Sequence, residues 1–126
     1  MTLFVFLVED DPAIRASLVL AMSGILDAKF VGFAKGEPEA IEWLASNQGK
    51  WNLAVVELFI EEGSGFGIMT EMQHLPKNEH VVMLTNSATS ENRQQALQCG
   101  AHAVFDKTEE LDQFFAYCEN LKVSEH

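Results

Sequence analysis

Leu3-Phe4-Val5-Phe6-Leu7-Val8 runs without a polar residue into Glu9-Asp10-Asp11-Pro12. Six apolar residues in a row do not alternate, so a strand built from them must be covered on both faces. Such strands belong to parallel sheets flanked by helices. Asp11 suits a helix N-cap and Pro12 the first helical position, so the strand should turn directly into a helix. The run has no basic leader and no cleavage site, which separates it from a signal peptide. It is also far shorter than the ~20 residues a membrane span needs.

The same unit recurs downstream. Strands are predicted near 3–8, 29–34, 53–57, 80–85 and 101–105. The first helix is marked by Ile14, Leu18, Met22 and Ile25 at helical spacing. Glu37 to Ala45 predicts a second helix with Ile41 and Leu44 inward. Ile68, Met72 and Leu75 mark a third, ended by Pro76. Ser90 to Cys99 is the fourth, with Gly100 as its C′ residue. Leu111, Phe114, Phe115, Cys118 and Leu121 form the apolar stripe of the last. Five strand–helix units with short connections predict an α/β, doubly wound parallel sheet with helices on both faces. The length of 126 residues suits a single domain over 1–126.

The charge is one-sided: 19 acids against 8 Lys and Arg give a formal net charge of −11. Such a field repels nucleic-acid backbones and anionic membranes, so no nucleic acid and no membrane are expected as partners. A cytoplasmic location is expected. Cys99 and Cys118 are isolated in helical contexts and read as buried, reduced thiols. His74, His80, His102 and His126 lack zinc-ligand spacing.

Ligands of such sheets bind beyond the carboxyl ends of the strands. Glu9 and Asp10 follow the first strand, Glu57 the third, Thr85 closes the fourth and Lys107 follows the fifth. Clustered carboxylates repel one another unless a cation or proton compensates. A hard divalent cation with oxygen ligands would do so, and Lys107 supplies a second positive charge.

Val-Glu-Asp-Asp-Pro-Ala-Ile-Arg (8–15), Leu-Ala-Val-Val-Glu-Leu-Phe-Ile (53–60), Gly-Ser-Gly (63–65), Val-Val-Met-Leu-Thr-Asn (81–86), Ala-Leu-Gln-Cys-Gly-Ala (96–101) and Phe-Asp-Lys-Thr (105–108) stand in this order. Together they resemble the receiver domain of bacterial response regulators over nearly the whole chain. The resemblance implies a flavodoxin-like sheet of order 2-1-3-4-5, as in the chemotaxis regulator. It implies two-component phosphorelay signalling, with Asp10 as direct Mg²⁺ ligand, Glu9 as its outer-shell partner and the Phe59 carbonyl as backbone ligand. Thr85 then resembles the hydroxyl that turns towards the phosphoryl group, and Lys107 the lysine that pairs with it. Implied partners are a sensor histidine kinase or phosphotransfer protein, and a downstream effector docking on the face of helix 4, strand 5 and helix 5. A homodimer could use that same face.

The acceptor position departs from the family: it holds Glu57 where aspartate is usual. The carboxylate sits one methylene further out, and a misplacement of roughly 1 Å can cost about a hundredfold in transfer. Glu57 is therefore expected to impair phosphorylation or partly imitate it, with the metal set of Glu9, Asp10, Glu57 and Phe59 binding Mg²⁺ more weakly. Lys107 is expected to pair with Glu57 or Asp10 as an exposed ion pair. The proline usual after the lysine is Thr108, and the switch aromatic three residues before it is Val104; Phe105 should face the other way. The chain is read as an interaction switch and not an enzyme. Two alternatives stand beside this: an ordinary phosphorylatable receiver with an engineered acceptor, and a Mg²⁺-dependent phosphohydrolase using Glu9-x-Asp11.

Overall fold

The computed structural model describes residues 2–72, 75–76 and 78–124, so His74 and His126 lie outside the described residues. Ten elements alternate along the chain: β1 (Leu3–Val8), α1 (Pro12–Leu26), β2 (Ala28–Ala34), α2 (Glu37–Ser46), β3 (Leu53–Val56), α3 (Gly65–Glu71), β4 (His80–Thr85), α4 (Ser90–Gln98), β5 (Ala103–Asp106) and α5 (Leu111–Ser124). All strand pairs are parallel, and the sheet order is β2-β1-β3-β4-β5. Among the described residues no helix is long and apolar enough to cross a membrane.

The period-two alternation of the central strands divides the core into two layers. Phe6, Val8, Ala54, Val56, Val81 and Met83 face α2, α3 and α4, whose Ala40, Ile68, Met69 and Ala96 complete that layer. Leu3, Val5, Leu7, Leu53, Val55, Val82 and Leu84 face the opposite way, towards Leu18, Met22 and Leu26 of α1 and Phe114, Cys118 and Leu121 of α5. Val104 packs in the first layer and Phe105 against the second, as alternation requires.

Several local expectations are corrected. The inward stripe of α1 ends on Leu26, four residues after Met22, while Ile25 is exposed. In α2 the buried residue is Ala40, and Trp43 stacks on Phe6 with centroids 4.1 Å apart. Ile41 is only half-buried. The third helix stops at Glu71, so Leu75 packs against the core from outside it. Strand β5 begins at Ala103, two residues late, because Gly100 takes φ 112° and Ala101 N–H bonds back to the Ala96 carbonyl. Cys118 is buried, and burial with the nearby Glu119 charge pushes its thiol up to about 12. Cys99 is only half-buried.

Glu79 enters β4 almost fully buried beside Trp51. Burial raises its pKa, and the Gly49 backbone amide offsets this only in part. A raised carboxyl pKa means the folded state holds its proton longer than the unfolded chain does. This group's contribution is therefore most favourable below its ordinary value and is lost as pH rises through the folded value. Glu79→Gln should raise the melting temperature at neutral pH and leave it unchanged in acid. An equal effect at both pH values, measured by calorimetry, would contradict this assignment.

Candidate functional site

The register sets Val8 beside Val56 and Thr85 beside Asp106, so the ends of β1, β3, β4 and β5 form one edge. Glu57 N–H bonds the Val8 carbonyl, which places Glu57 next to Glu9 at the point where the sheet order reverses. Lys107 N–H bonds the Thr85 carbonyl across the neighbouring strand, and its long stem carries the ammonium over to the two glutamates.

There Lys107 Nζ donates to Glu9 Oε1 at 2.6 Å and to Glu57 Oε1 at 2.5 Å. The three side chains are only 8%, 3% and 10% exposed. The remaining glutamate oxygens also have donors. Glu9 Oε2 accepts from Asp11 N–H at 3.1 Å. Glu57 Oε2 accepts from Leu58 N–H at 2.5 Å and more distantly from Phe59 N–H at 3.4 Å. Burial alone would lower the lysine pKa. The hydrogen bonds and charges of Glu57 and Glu9 outweigh it, and the net shift is upward.

Asp10 is half-buried beside this network and has no hydrogen bond or ion pair among the described residues. The second partner of Lys107 is thus Glu9 and not Asp10, and the ion pairs are buried, contrary to the exposed pair expected. Thr85 is buried, and its hydroxyl accepts from Ser87 N–H at 3.2 Å; among the described residues it makes no bond to Glu57. The ring of Phe59 is 65% exposed in the loop after β3.

The sequence places Glu9, Asp10, Glu57 and the Phe59 carbonyl in one metal set. Among the described residues, no three His, Cys, Asp or Glu side chains gather as a metal-holding group. The Lys107 ammonium lies between Glu9 and Glu57, holding one oxygen of the outer-shell position and one of the acceptor position of that set. As arranged, these residues do not fit a divalent ion.

Two supporting contacts escaped the sequence. Glu37, at the start of α2, accepts from Ser64 N–H at 3.0 Å, while Glu37 N–H donates to the Glu62 carbonyl at 2.7 Å. This clasps the loop that follows Glu57. Arg93 of α4 donates to the carbonyls of Ala88 and Val104 and to Glu110 Oε1 at 2.6 Å. It thereby ties α4, the loop before it, β5 and the start of α5, beside the position where Val104 replaces the aromatic. Thr108 N–H donates to Asp106 Oδ1 at 2.8 Å, a bond that proline could not make. Its hydroxyl donates to Asn86 Oδ1 at 2.9 Å.

Gly65 explains the second glycine of Gly-Ser-Gly. A Cβ there would lie 2.6 Å from the Glu57 carbonyl oxygen and 3.1 Å from Leu58 Cα. Both are backbone atoms, so α3 would have to move. Gly65→Ala should cost about 2 kcal/mol in urea unfolding, an overpacking penalty. A loss below roughly 0.5 kcal/mol, the usual size of a neutral surface change, would show that α3 has room to shift.

A family model for the response regulator receiver domain matches residues 5–119. The chain belongs to this family. Solved receivers share its fold. The signal receiver domain of the DNA-binding response regulator merR from Colwellia psychrerythraea is 20% identical, with TM-score 0.82, over 95% of this chain and 98% of that one. The response regulator domain of Thermotoga maritima CheB is also 20% identical, with TM-score 0.76 and the same coverage of 95% and 98%. The Mn²⁺-bound response regulator Rcp1 is 17% identical, with TM-score 0.70, over 95% and 91%. No curated protein sequence matches the chain. Receivers are in general signalling modules that interact with histidine kinases or phosphotransfer proteins and with effectors.

Proposed function

We propose that this receiver is a protein-interaction module whose acceptor position is held in place instead of being phosphorylated. One observation carries the proposal: both oxygens of Glu57 are already engaged, one by Lys107 and the other by the Leu58 amide. An attacking carboxylate must be aimed in line at phosphorus, and positioning supplies most of the rate of such transfers, so contacts that fix its orientation oppose attack. Glu57 is one methylene longer than the usual aspartate, and its two contacts hold it away from that geometry.

The Lys107–Glu57 pair imitates one contact that a phosphorylated side chain makes. The Glu57 carboxylate carries about one negative charge, against −1.5 to −2 for a phosphate. Among the described residues Thr85 makes no bond to Glu57, its hydroxyl accepting from Ser87 N–H, so the second contact is not added. The imitation is therefore partial. The reading is favoured over the phosphohydrolase alternative by two contacts: Asp11 Oδ1 caps α1 through Ala13 and Ile14 N–H, and Glu9 is tied to Lys107.

We place the whole of 1–126 in one non-enzymatic, cytoplasmic receiver of chemotaxis-regulator-like build. A histidine kinase or phosphotransfer protein would meet it at the strand-end edge, and an effector or second copy at the face of α4, β5 and α5. Leu97 of α4 is exposed there and supports this choice. Incubation with acetyl phosphate and Mg²⁺, followed by intact-mass analysis, should leave the mass unchanged. Near-stoichiometric phosphate addition would refute the proposal.

A further inference from the structure

We propose that Lys107 is the built-in cation of this pocket and that it closes Glu9 and Glu57 to divalent metal. The receiver reading serves only to locate the pocket. The inference itself rests on the ammonium shared by the two glutamates and on the amides that fix their other oxygens. All four glutamate oxygens accept from protein donors: two from one ammonium, and one each from the amides of Asp11 and Leu58. A divalent ion would have to approach against the ammonium that holds one oxygen of each glutamate, or turn the carboxylates off their amides.

Charge balance points the same way. Two buried carboxylates and one ammonium leave a single net negative charge, where the glutamates alone would present two. Asp10 remains outside the network as one half-buried carboxylate. Mg²⁺ demands near-ideal octahedral oxygen geometry and gives up its waters reluctantly. One side carboxylate next to a fixed ammonium offers it little. The length of Glu57 is what makes the closure possible, because the extra methylene lets it share the ammonium with Glu9.

The test is a titration of unphosphorylated protein, without phosphodonor, against Mg²⁺ and Mn²⁺ to millimolar concentrations. Melting temperature and Mn²⁺-induced broadening of the amide resonances of residues 9–11 are the readouts. Wild type should show neither a metal-dependent rise nor saturable broadening. Lys107→Met should gain both. If that variant fails to fold, Glu57→Asp serves in its place: its shorter carboxylate gives up the ammonium and should also gain metal binding. Saturable binding by wild type would overturn the inference. Absence of binding in the folded variants would overturn it too, by showing that the ammonium is not what excludes the ion. Neither outcome depends on whether Glu57 accepts phosphate, so failure here and failure of the proposed function are separable.

Discussion

Lys107→Met should lower stability by about 3 kcal/mol at neutral pH, the size expected when one partner of a buried ion pair is removed. The loss comes less from broken bonds than from what remains. Glu9 and Glu57 would face each other, nearly solvent-free, with no cation between them. Such a pair can relax by taking up a proton, since repulsion and burial both raise a carboxyl pKa. The deficit should therefore shrink as pH falls and a shared proton replaces the ammonium. The double variant Glu57→Gln/Lys107→Met removes one of the two charges and should recover much of the loss. In wild type the sign is different: the folded lysine pKa is raised above 10.5. Its contribution is full below that ordinary value and is lost only as pH rises through the folded one. Urea denaturation across pH is the measurement. A deficit under roughly 0.5 kcal/mol, as for a neutral surface substitution, would mean that water or side-chain rearrangement compensates the glutamates.

The sequence led to a smaller expectation for this residue, and the reason is instructive. Exposed ion pairs are worth only ~0–1 kcal/mol, and a lysine two residues beyond a strand reads as exposed. Burial of its ammonium depends on Glu9 and Glu57 standing side by side, which is set by the register of β1 against β3. Nothing local to Lys107 encodes that register. The convergence of Glu9, Glu57 and Lys107 was legible because chain order at strand ends survives any error of one or two residues. The choice of Glu9 over Asp10 as second partner was not, because neighbouring residues at a strand end point in different directions. The strands themselves were legible, with β1 and β4 placed to the residue, since continuous apolar runs bounded by acids or polar turns admit few other readings. The third helix was misjudged because Leu75 fits its apolar spacing yet lies beyond it. Glu37 and Arg93 were missed for a related reason. Each looks like a solvated charge on a helix, and only the folded chain brings Ser64 to one and Val104 and Glu110 to the other.

Glu57→Asp should convert a chain that stays unmodified by acetyl phosphate and Mg²⁺ into one that is largely phosphorylated, a gain of roughly a hundredfold or more in rate. The argument runs through one methylene. Glu57 reaches Lys107 with one oxygen and folds back on Leu58 N–H with the other. A side chain shorter by one carbon cannot hold both contacts from the same backbone position, and that backbone is fixed by the bond of its N–H to Val8 and by the tight approach of Gly65. Withdrawal of the carboxylate leaves space between it and the ammonium, and Lys107 can then meet an incoming phosphoryl oxygen. Glu9 keeps its bond to the Asp11 amide and, with half-buried Asp10, can face a divalent ion. Thr85 accepts from Ser87 N–H and keeps its own O–H to donate to the new anion. Intact mass would report the adduct, and its loss in alkaline hydroxylamine would identify an acyl phosphate. If Glu57→Asp stays unmodified while folded and metal-bound, then side-chain length is not what silences this acceptor. The cause would have to lie in the rigid frame around it, where Glu37 clasps the following loop and Arg93 pins α4 to β5 and the start of α5.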